Sequence, residues 1–183
     1  MPSKEAKRLD DKGLTEADYV VRDRIAAKLD VKGHELSALT KDFANWRKGW
    51  NKVVLSSQKK FNRLRRLQCA NDHGECVCVC TGERYPFTQI DAGHFVSATK
   101  QNTRFDPANV WPQSKGSNQY DTSNDSLIYY TLFMSRQFGP EFVRELLKKS
   151  KIKKSWSDHQ EELLALRVVW NRETKSHMKR LGI

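Results

Sequence analysis

The feature that most constrains the fold is a stretch of alternating residues, ECVCVCTGERYPFTQIDAGHFVSA (75–98), between two regions with helical apolar spacing. Val77 and Val79 would lie on one face of an extended chain and the intervening cysteines on the other, because side chains alternate along a strand. Thr81-Gly82 then supplies a turn, so this segment is predicted to form a β-hairpin. A short hairpin flanked by helices indicates a mixed α+β fold.

The N-terminal flank is predicted to be helical. Thr15 precedes acidic residues and an apolar pattern, which is typical of a capped helix start, and Gly33 is predicted to end this helix. A second helix is predicted from about Thr40. Its large apolar residues recur every three or four positions, a spacing that favours burial in the core over a base-stacking surface: Phe43, Trp46, Trp50, Val53 and Val54.

The C-terminal flank is also predicted to be helical. One helix is predicted from Asn124 to Gly139, another begins at Pro140, and a third follows Ser157. Between the hairpin and these helices, residues 99–124 are rich in turn formers and are predicted to form a long loop. Long loops inside a compact domain are usually functional.

Charge is distributed unevenly along the 183 residues, which carry 33 Lys and Arg against 22 Asp and Glu. Residues 1–68 and 126–183 have net charges of +8 and +6, whereas residues 69–125 have a net charge of −3. Basic flanks suit DNA, and an acidic centre suits a divalent metal ion. Lysine and arginine side chains that only keep helix surfaces soluble would give the same basic flanks. The best candidate for phosphate contacts is a basic helix over residues 53–68, which contains Lys59, Lys60, Arg63, Arg65 and Arg66.

The four cysteines fall within twelve residues: Cys69, Cys76, Cys78 and Cys80. The sequence has no apolar leader and no apolar run long enough to cross a bilayer, so we expect a soluble cytoplasmic protein, in which disulfides are rare. A structural zinc site is the usual alternative, and His73 could join Cys69 and Cys76 in one. The alternating spacing converges poorly on one tetrahedral ion. Half-buried thiols that pack as small apolar side chains are therefore the favoured interpretation.

The segment QIDAGHFVSA (89–98) places Asp91 three residues before His94, with only Ala and Gly between them. A carboxylate and an imidazole this close can act together on a metal ion and a water molecule. Asp and Gly are also common in ordinary polar turns for backbone reasons alone. The pattern by itself is therefore a weak indication of function.

Further motifs accompany DAGHF. FNRLRRL and then the cysteines precede it, and RFDPANVWPQ, SKGSN and YYTLFMSRQFGPEFVRELL follow it in that order. In this order they resemble the NinG (Rap) recombination nucleases of lambdoid phages, which are HNH-type, ββα-metal endonucleases. The resemblance covers residues 53–180 and implies a small ββα-metal, HNH-like core at 69–123 with mostly helical N- and C-terminal flanks. Residues 1–52 have no counterpart in these motifs and are predicted to be a helical extension to a nuclease domain at 53–183.

The resemblance implies a role for each matching residue. His94 would be the general base, and Asp91 and Asn118 would bind one Mg²⁺ or Mn²⁺ ion. Asn109 would hold the hairpin and loop so that His94 is aimed, and Arg104 would hold a phosphate. These residue types suit phosphodiester hydrolysis, because a neutral imidazole can deprotonate water and hard oxygen ligands suit such cations.

The chain departs from the family at Ser114 and Ser117, where the family has Cys-x-x-Cys before the final Asn. A serine hydroxyl is neutral and hard whereas a thiolate is charged and soft, so serine is a poor zinc ligand. We therefore expect the structural zinc of the family to be absent here. The residues of the catalytic set are all present.

The resemblance thus implies a metal-dependent endonuclease that cuts branched DNA, such as Holliday junctions or flaps, in the cytoplasm of an infected bacterium. A homodimer would suit paired nicks in a junction, and no membrane partner is expected. Two alternatives belong to other functional classes. One is a non-catalytic DNA-binding recombination accessory protein, and the other is a helical scaffold whose charge only keeps it soluble.

Overall fold

The structure, a computed structural model, describes residues 10–120 and 125–183. Its helices and strands follow in the order α1 (Glu16–Leu29), α2 (Gly33–Cys69), β1 (Glu75–Val77), β2 (Arg84–Pro86), β3 (Asp91–His94), β4 (Val110–Gln113), α3 (Asp125–Phe138), α4 (Pro140–Lys151) and α5 (Gln160–Arg180). The predicted mixed α+β class is confirmed. None of the described helices combines the length and the apolarity needed to span a membrane.

The chain divides into two compact units, and the division falls within α2 and α5. The first unit comprises Met1–Lys59, described from residue 10 onward, and Trp156–Arg172. The second comprises Lys60–Ser155 and Glu173–Ile183. The predicted extension, residues 1–52, falls within the first unit.

Helix α1 begins where the sequence predicts and ends earlier. The Thr15 hydroxyl accepts a hydrogen bond from the Asp18 N–H (3.3 Å), and the Asp18 carboxylate accepts one from the Thr15 N–H (2.9 Å), which forms a capping box. The helix ends at Leu29 because Asp30 adopts the left-handed conformation (φ 48°), which Asp tolerates better than most residues. The prediction that Gly33 ends α1 is therefore wrong, since Gly33 is the first residue of α2.

Helix α2 starts before Thr40, its predicted first residue, because the buried apolar face already includes Leu39. The helix is interrupted at Gly49, whose dihedral angles (φ 164°, ψ 96°) are not helical. Most of the predicted apolar stripe lies in the core, as the fully buried Phe43 shows, but Trp50 remains 37% exposed.

A buried ion pair joins α2 and α5 within the first unit. Arg167 is 5% exposed and donates to the Asp42 carboxylate from Nη2 (2.7 Å) and Nε (2.8 Å). Its Nη1 donates to the hydroxyls of Ser56 (2.9 Å) and Ser57 (2.8 Å). A buried charge needs such partners, because taking it out of water unpaired is costly. The apolar core of the same unit consists of Leu14, Ile25, Val31, Leu39, Phe43, Val53, Leu164 and Val168.

The second unit contains two antiparallel two-stranded sheets. Strands β1 and β2 pair Cys76 with Tyr85, and Gly82 has a positive φ of 75° in the turn between them, so the predicted hairpin is confirmed. Strand β1 ends at Val77. The alternating strand predicted to continue through Cys80 is therefore shorter than expected.

The second sheet pairs β3 with β4, with Asp91 opposite Gln113 and His94 opposite Val110. Strand β4 lies in the region predicted to be a long loop, so that prediction is wrong for Val110–Gln113. Pro112 obscured this strand in the sequence, because a proline within an apolar run disfavours a strand. Pro112 is tolerated in β4 because the sheet has only two strands, so that β4 is an edge strand.

Helices α3 and α4 are placed largely as the sequence predicts. Helix α3 ends just before Gly139 and α4 begins at Pro140, while the predicted α3 start at Asn124 lies outside the described residues. Helix α5 begins at Gln160, shortly after Ser157, as the sequence predicts. The apolar cluster that joins α3 and α4 to the end of β3 consists of Val96, Tyr130, Met134, Val143 and Leu146.

The buried ion pair generates a stability prediction. We expect Arg167→Ala to lower the free energy of unfolding by about 3–5 kcal/mol, because it leaves the Asp42 carboxylate buried without its partner. Arg24→Ala, which breaks an exposed ion pair with Glu161, should cost less than about 1 kcal/mol. Urea denaturation of both variants gives the comparison. Equal losses would show that the Arg167 pair contributes no more than a surface pair.

Candidate metal and phosphate site

The site is built on β3, the strand that carries the DAGH motif. The Gln113 side chain of β4 packs directly over Gly93, since an added Cβ would lie 2.9 Å from Cβ and 3.0 Å from Cδ of Gln113, and would also clash with its Oε1. The Gln113 amide is fixed because its Nε2 donates to the Ser117 carbonyl (2.9 Å). The absence of a side chain at position 93, between Asp91 and His94, is therefore a packing requirement.

Helix α3 contacts the same strand through Tyr130. Its hydroxyl donates to the Gly93 carbonyl (2.9 Å), and Tyr130 is 3% exposed. Burial raises the pKa of Tyr130 well above its usual value, so the hydroxyl retains its proton and remains a donor. The contact fixes β3 from the side of α3.

The turn after β4 brings Asn118 to Asp91. The Asn118 N–H donates to the Ser114 carbonyl (2.9 Å), which closes this turn. Nδ2 of Asn118 then donates to Oδ2 of Asp91 (3.0 Å), and Nε2 of Gln119 donates to the same oxygen (2.8 Å). The two residues predicted to bind the cation are thus in direct contact.

His94 has a defined protonation pattern. Its Nε2 lies 3.0 Å from the Arg104 carbonyl oxygen, which can only accept, so Nε2 carries the proton and Nδ1 of the neutral ring does not. Burial lowers the pKa of His94; the carbonyl hydrogen bond opposes this effect and the Arg104 charge adds to it. His94 and Asn118 line one cleft of about 180 Å³.

Asn109 connects the loop after β3 to the start of β4. Its side chain is fully buried, and Nδ2 donates to the carbonyls of Val96 (2.9 Å) and Thr103 (3.0 Å). Its Oδ1 accepts from the Val96 N–H (2.7 Å). These bonds hold the loop that presents the Arg104 carbonyl to His94, so the geometry suits the positioning role that the resemblance implies.

Two arginines bring positive charge to the site. Burial lowers the pKa of Arg66, and the charge of the Asp91 carboxylate opposes this effect. The Nε atom of Arg66 is buried, and no described residue accepts a hydrogen bond from it. An unsatisfied buried donor is costly, and a phosphate oxygen would satisfy it. Arg104 lies over the Phe105 ring, 5.8 Å from its centroid, and is partly buried.

The other cations of the predicted basic helix occupy different environments. Lys59 and Arg63 are exposed and Lys60 is partly buried. Arg65 is only 8% exposed, donates from Nε to a backbone carbonyl of β4 (3.0 Å), and lies 5.1 Å from the Trp111 ring centroid. The structure therefore packs Arg65 against the sheet and does not group it with the exposed cations. The packing of Arg65 against β4 does not support the prediction that Arg65 contacts a phosphate.

The serines that depart from the family pattern lie beside two cysteines. The Ser114 N–H donates to Sγ of Cys78 (3.2 Å), and the Ser114 hydroxyl donates to that of Ser117 (3.0 Å). The pKa of Cys78 is lowered to about 4, mainly because Cys78 accepts a hydrogen bond from the Cys80 thiol. The same hydrogen bond raises the pKa of Cys80. Cys76 and Cys78 are both buried. Burial raises the pKa of Cys76, which suits a thiol that packs as a small apolar side chain, whereas the lowered pKa of Cys78 does not.

The donor atoms at Asp91 and Asn118 suit a hard cation. Among the residues that the structure describes, no three His, Cys, Asp or Glu side chains form a metal-binding group. A carboxylate and an amide oxygen are instead the ligands that Mg²⁺ accepts while keeping several waters. Rotation of the Asn118 amide would turn its oxygen toward the side now faced by Nδ2. These residues therefore fit an Mg²⁺ or Mn²⁺ site completed by water and substrate.

Two glutamines belong to the site although the sequence did not single them out. Gln113 fills the space above Gly93, and Gln119 donates to Asp91. Both roles depend on contacts with residues more than fifteen positions away, so no local pattern marks them. The one available signal was Gly93 itself, because a glycine inside a strand indicates close approach of another chain segment.

The fold and the site define a mixed α+β protein in which Asp91, His94 and Asn118 lie on and beside one small antiparallel sheet. The family model described as Bacteriophage Lambda NinG protein matches residues 23–180, which is most of the chain, and the chain therefore belongs to the NinG family. The match includes residues 23–52, for which the sequence motifs offered no counterpart. No curated protein and no solved structure matches the chain.

The contact at Gly93 generates the prediction for the site. We expect Gly93→Ala to destabilise the protein by about 1–3 kcal/mol, because the new methyl group overlaps Gln113 and must push β3 away from β4. Gly116→Ala is the matched control, since its Cβ would lie 3.9 Å from the nearest atom, Oγ of Ser114, and should change stability by less than about 0.5 kcal/mol. Thermal denaturation compares the two variants. Equal stability would refute the packing requirement.

Proposed function

We propose that this chain is a divalent-metal-dependent DNA endonuclease of phage recombination. Membership of the NinG family points to a recombination-related function in a bacteriophage. The observation that carries the nuclease proposal is the contact between Asp91 and Asn118, together with the cleft that Asn118 shares with His94. This arrangement puts cation ligands and a candidate base in one place.

His94 acts as the general base in this proposal. Because the Arg104 carbonyl holds the proton on Nε2, Nδ1 is the nitrogen that takes a proton from the attacking water. The lowered pKa of His94 keeps the ring neutral, which is the form that can accept this proton. Asn109 and the backbone carbonyl of Arg104 hold the ring and loop in position and do not themselves touch the reacting atoms.

Asp91 and Asn118 hold the cation, one Mg²⁺ or Mn²⁺ ion per site. When bound, the ion supplies positive charge that stabilises the departing 3′ oxygen of the phosphodiester. Gln119, which donates to the same carboxylate oxygen as Asn118, restrains the Asp91 side chain. A structural zinc is not part of this proposal, because Ser114 and Ser117 are poor ligands for it.

Phosphate binding falls to arginines and lysines around this centre. Arg66 has a buried Nε donor without an acceptor among the described residues, and it interacts with Asp91, so a phosphate beside the cation would satisfy it. Arg104 supplies a second guanidinium next to His94. Lys59, Lys60 and Arg63 contact the DNA backbone farther along α2, whereas the position of Arg65 favours a structural role.

The substrate class proposed from the family resemblance is branched DNA, such as Holliday junctions or flaps, in the cytoplasm of the infected host. A homodimer would place two sites on one junction. Incubation with branched and linear DNA, with and without Mg²⁺ or Mn²⁺, tests the proposal. Binding without cleavage under every metal condition would favour the alternative of a non-catalytic accessory protein.

Removal of the proposed base gives a direct test. We expect His94→Ala to reduce cleavage by about 10²–10⁴-fold, the usual contribution of a positioned base, while DNA binding stays close to that of the wild type. His73→Ala is the matched control, because His73 is an exposed histidine of the same unit. Single-turnover cleavage and gel-shift titration measure the two effects. Full activity of His94→Ala would remove His94 from the mechanism.

The pH profile supplies a second readout for His94. Because burial lowers its folded-state pKa, His94 stays neutral at a pH where an ordinary histidine is already protonated. Cleavage should therefore fall on the acid side with a midpoint below about 6.5, the usual histidine value. A midpoint at or above that value would show that the environment of His94 does not control the base.

Chelation separates the catalytic cation from a structural one. We expect EDTA to stop cleavage and leave the melting temperature almost unchanged, because the Ser114 turn is held by hydrogen bonds. A structural zinc would supply on the order of 10 kcal/mol of folding free energy, so its removal would collapse the melt. Zinc analysis and thermal melts in EDTA measure this. One zinc per chain with a chelator-sensitive melt would refute the expectation.

A further inference from the structure

A second cationic surface lies at the end of α4. We call residues 148–154 the lysine segment, because five of these seven residues are lysines: Lys148, Lys149, Lys151, Lys153 and Lys154. No Asp or Glu occurs between Glu145 and Asp158. The segment is therefore a concentrated block of positive charge within the second unit.

The helix alone does not account for this charge. Lysines in the last turn of a helix are stabilised by the helix dipole, which would explain Lys148, Lys149 and Lys151. Lys153 lies beyond the end of α4, where this effect gives no reason for a cation. Lys148 pairs with Glu145 (2.7 Å), but Lys151 and Lys153 are exposed and pair with no acid among the described residues.

The lysine segment is attached to the loop that positions the proposed base. Nζ of Lys149 pairs with Asp106 (2.6 Å), and the Lys149 carbonyl accepts from Nδ2 of Asn102 (2.9 Å). The same loop carries Arg104, whose carbonyl binds Nε2 of His94. A ligand that contacts the lysine segment is thereby held close to this loop.

We propose that the lysine segment binds the phosphate backbone of the DNA substrate away from the phosphate that is cleaved. The inference rests on the proposed nuclease function and assigns a second contact surface to it. Exposed lysines bind phosphates as flexible point charges, and binding releases counterions condensed on the DNA. Because Lys149 attaches the segment to the loop that contains Asn102 and Asp106, this contact adds affinity for DNA near that loop and does not touch the reacting atoms.

The test compares two double variants that remove the same charge. Lys151→Gln with Lys153→Gln neutralises the segment, and Lys41→Gln with Lys48→Gln neutralises two exposed lysines of α2 in the first unit. Binding to a labelled four-way junction and to a linear duplex is measured in EDTA over a range of salt concentrations. The first variant should make the negative slope of log affinity against log salt shallower by about 1.8, which is about 0.9 per lost contact. The second should retain the wild-type slope.

The second readout is the rate of DNA cleavage in Mg²⁺, measured with enough protein to saturate the DNA. The segment variant should cut at nearly the wild-type rate once bound, because neither lysine touches the reacting atoms, and its melting temperature should be unchanged. If the wild type binds and cuts DNA but the two variants show equal salt slopes, the inference about the lysine segment is wrong and the proposed nuclease function stands. Absence of DNA binding and cleavage in the wild type would instead overturn the proposed function, and this inference with it.

Discussion

The close approach of Gln113 to Gly93 is the contact on which the candidate site depends. It requires a residue without a side chain in β3, and it places the Gln113 amide where Nε2 can hold the Ser117 carbonyl. That bond fixes the turn whose next residue, Asn118, contacts Asp91. The contact between Asp91 and Asn118, the proposed cation ligands, therefore depends on how the Gln113 side chain packs over Gly93. A rigid sheet gives such a site more precision than a free loop would.

A second series of contacts sets the tautomer of His94, the proposed base. Asn109 uses both ends of its buried amide to hold Val96 and Thr103, so the intervening loop has a fixed path. The Arg104 carbonyl then determines which nitrogen of His94 carries the proton. The tautomer of His94 thus depends on a backbone carbonyl and not on another side chain. This explains why an asparagine with no chemical role of its own belongs to the motif.

The sequence predicted features that depend on near neighbours and missed those that depend on distant contacts. The capping box at Thr15 and the helix start at Pro140 were confirmed, because each involves residues within one turn. The approach of Asn118 to Asp91 spans 27 positions and was anticipated only through the order of the family motifs. Strand β4 was missed because Pro112 lies within it. The burial of Arg65 had no signal either, since neighbouring cations of one helix look alike in sequence.

The charges at the site favour a cation and an anion that bind together. The Asp91 carboxylate accepts hydrogen bonds from two neutral amides and forms no ion pair among the described residues, so much of its charge remains uncompensated. The Asp91 charge opposes the lowering of the Arg66 pKa by burial, yet the buried Nε of Arg66 has no acceptor within the described chain. A cation alone would satisfy the carboxylate but repel the arginine, and a phosphate alone would do the reverse. A metal ion bound to a phosphate would satisfy both, which is the combination that the proposed nuclease function calls for.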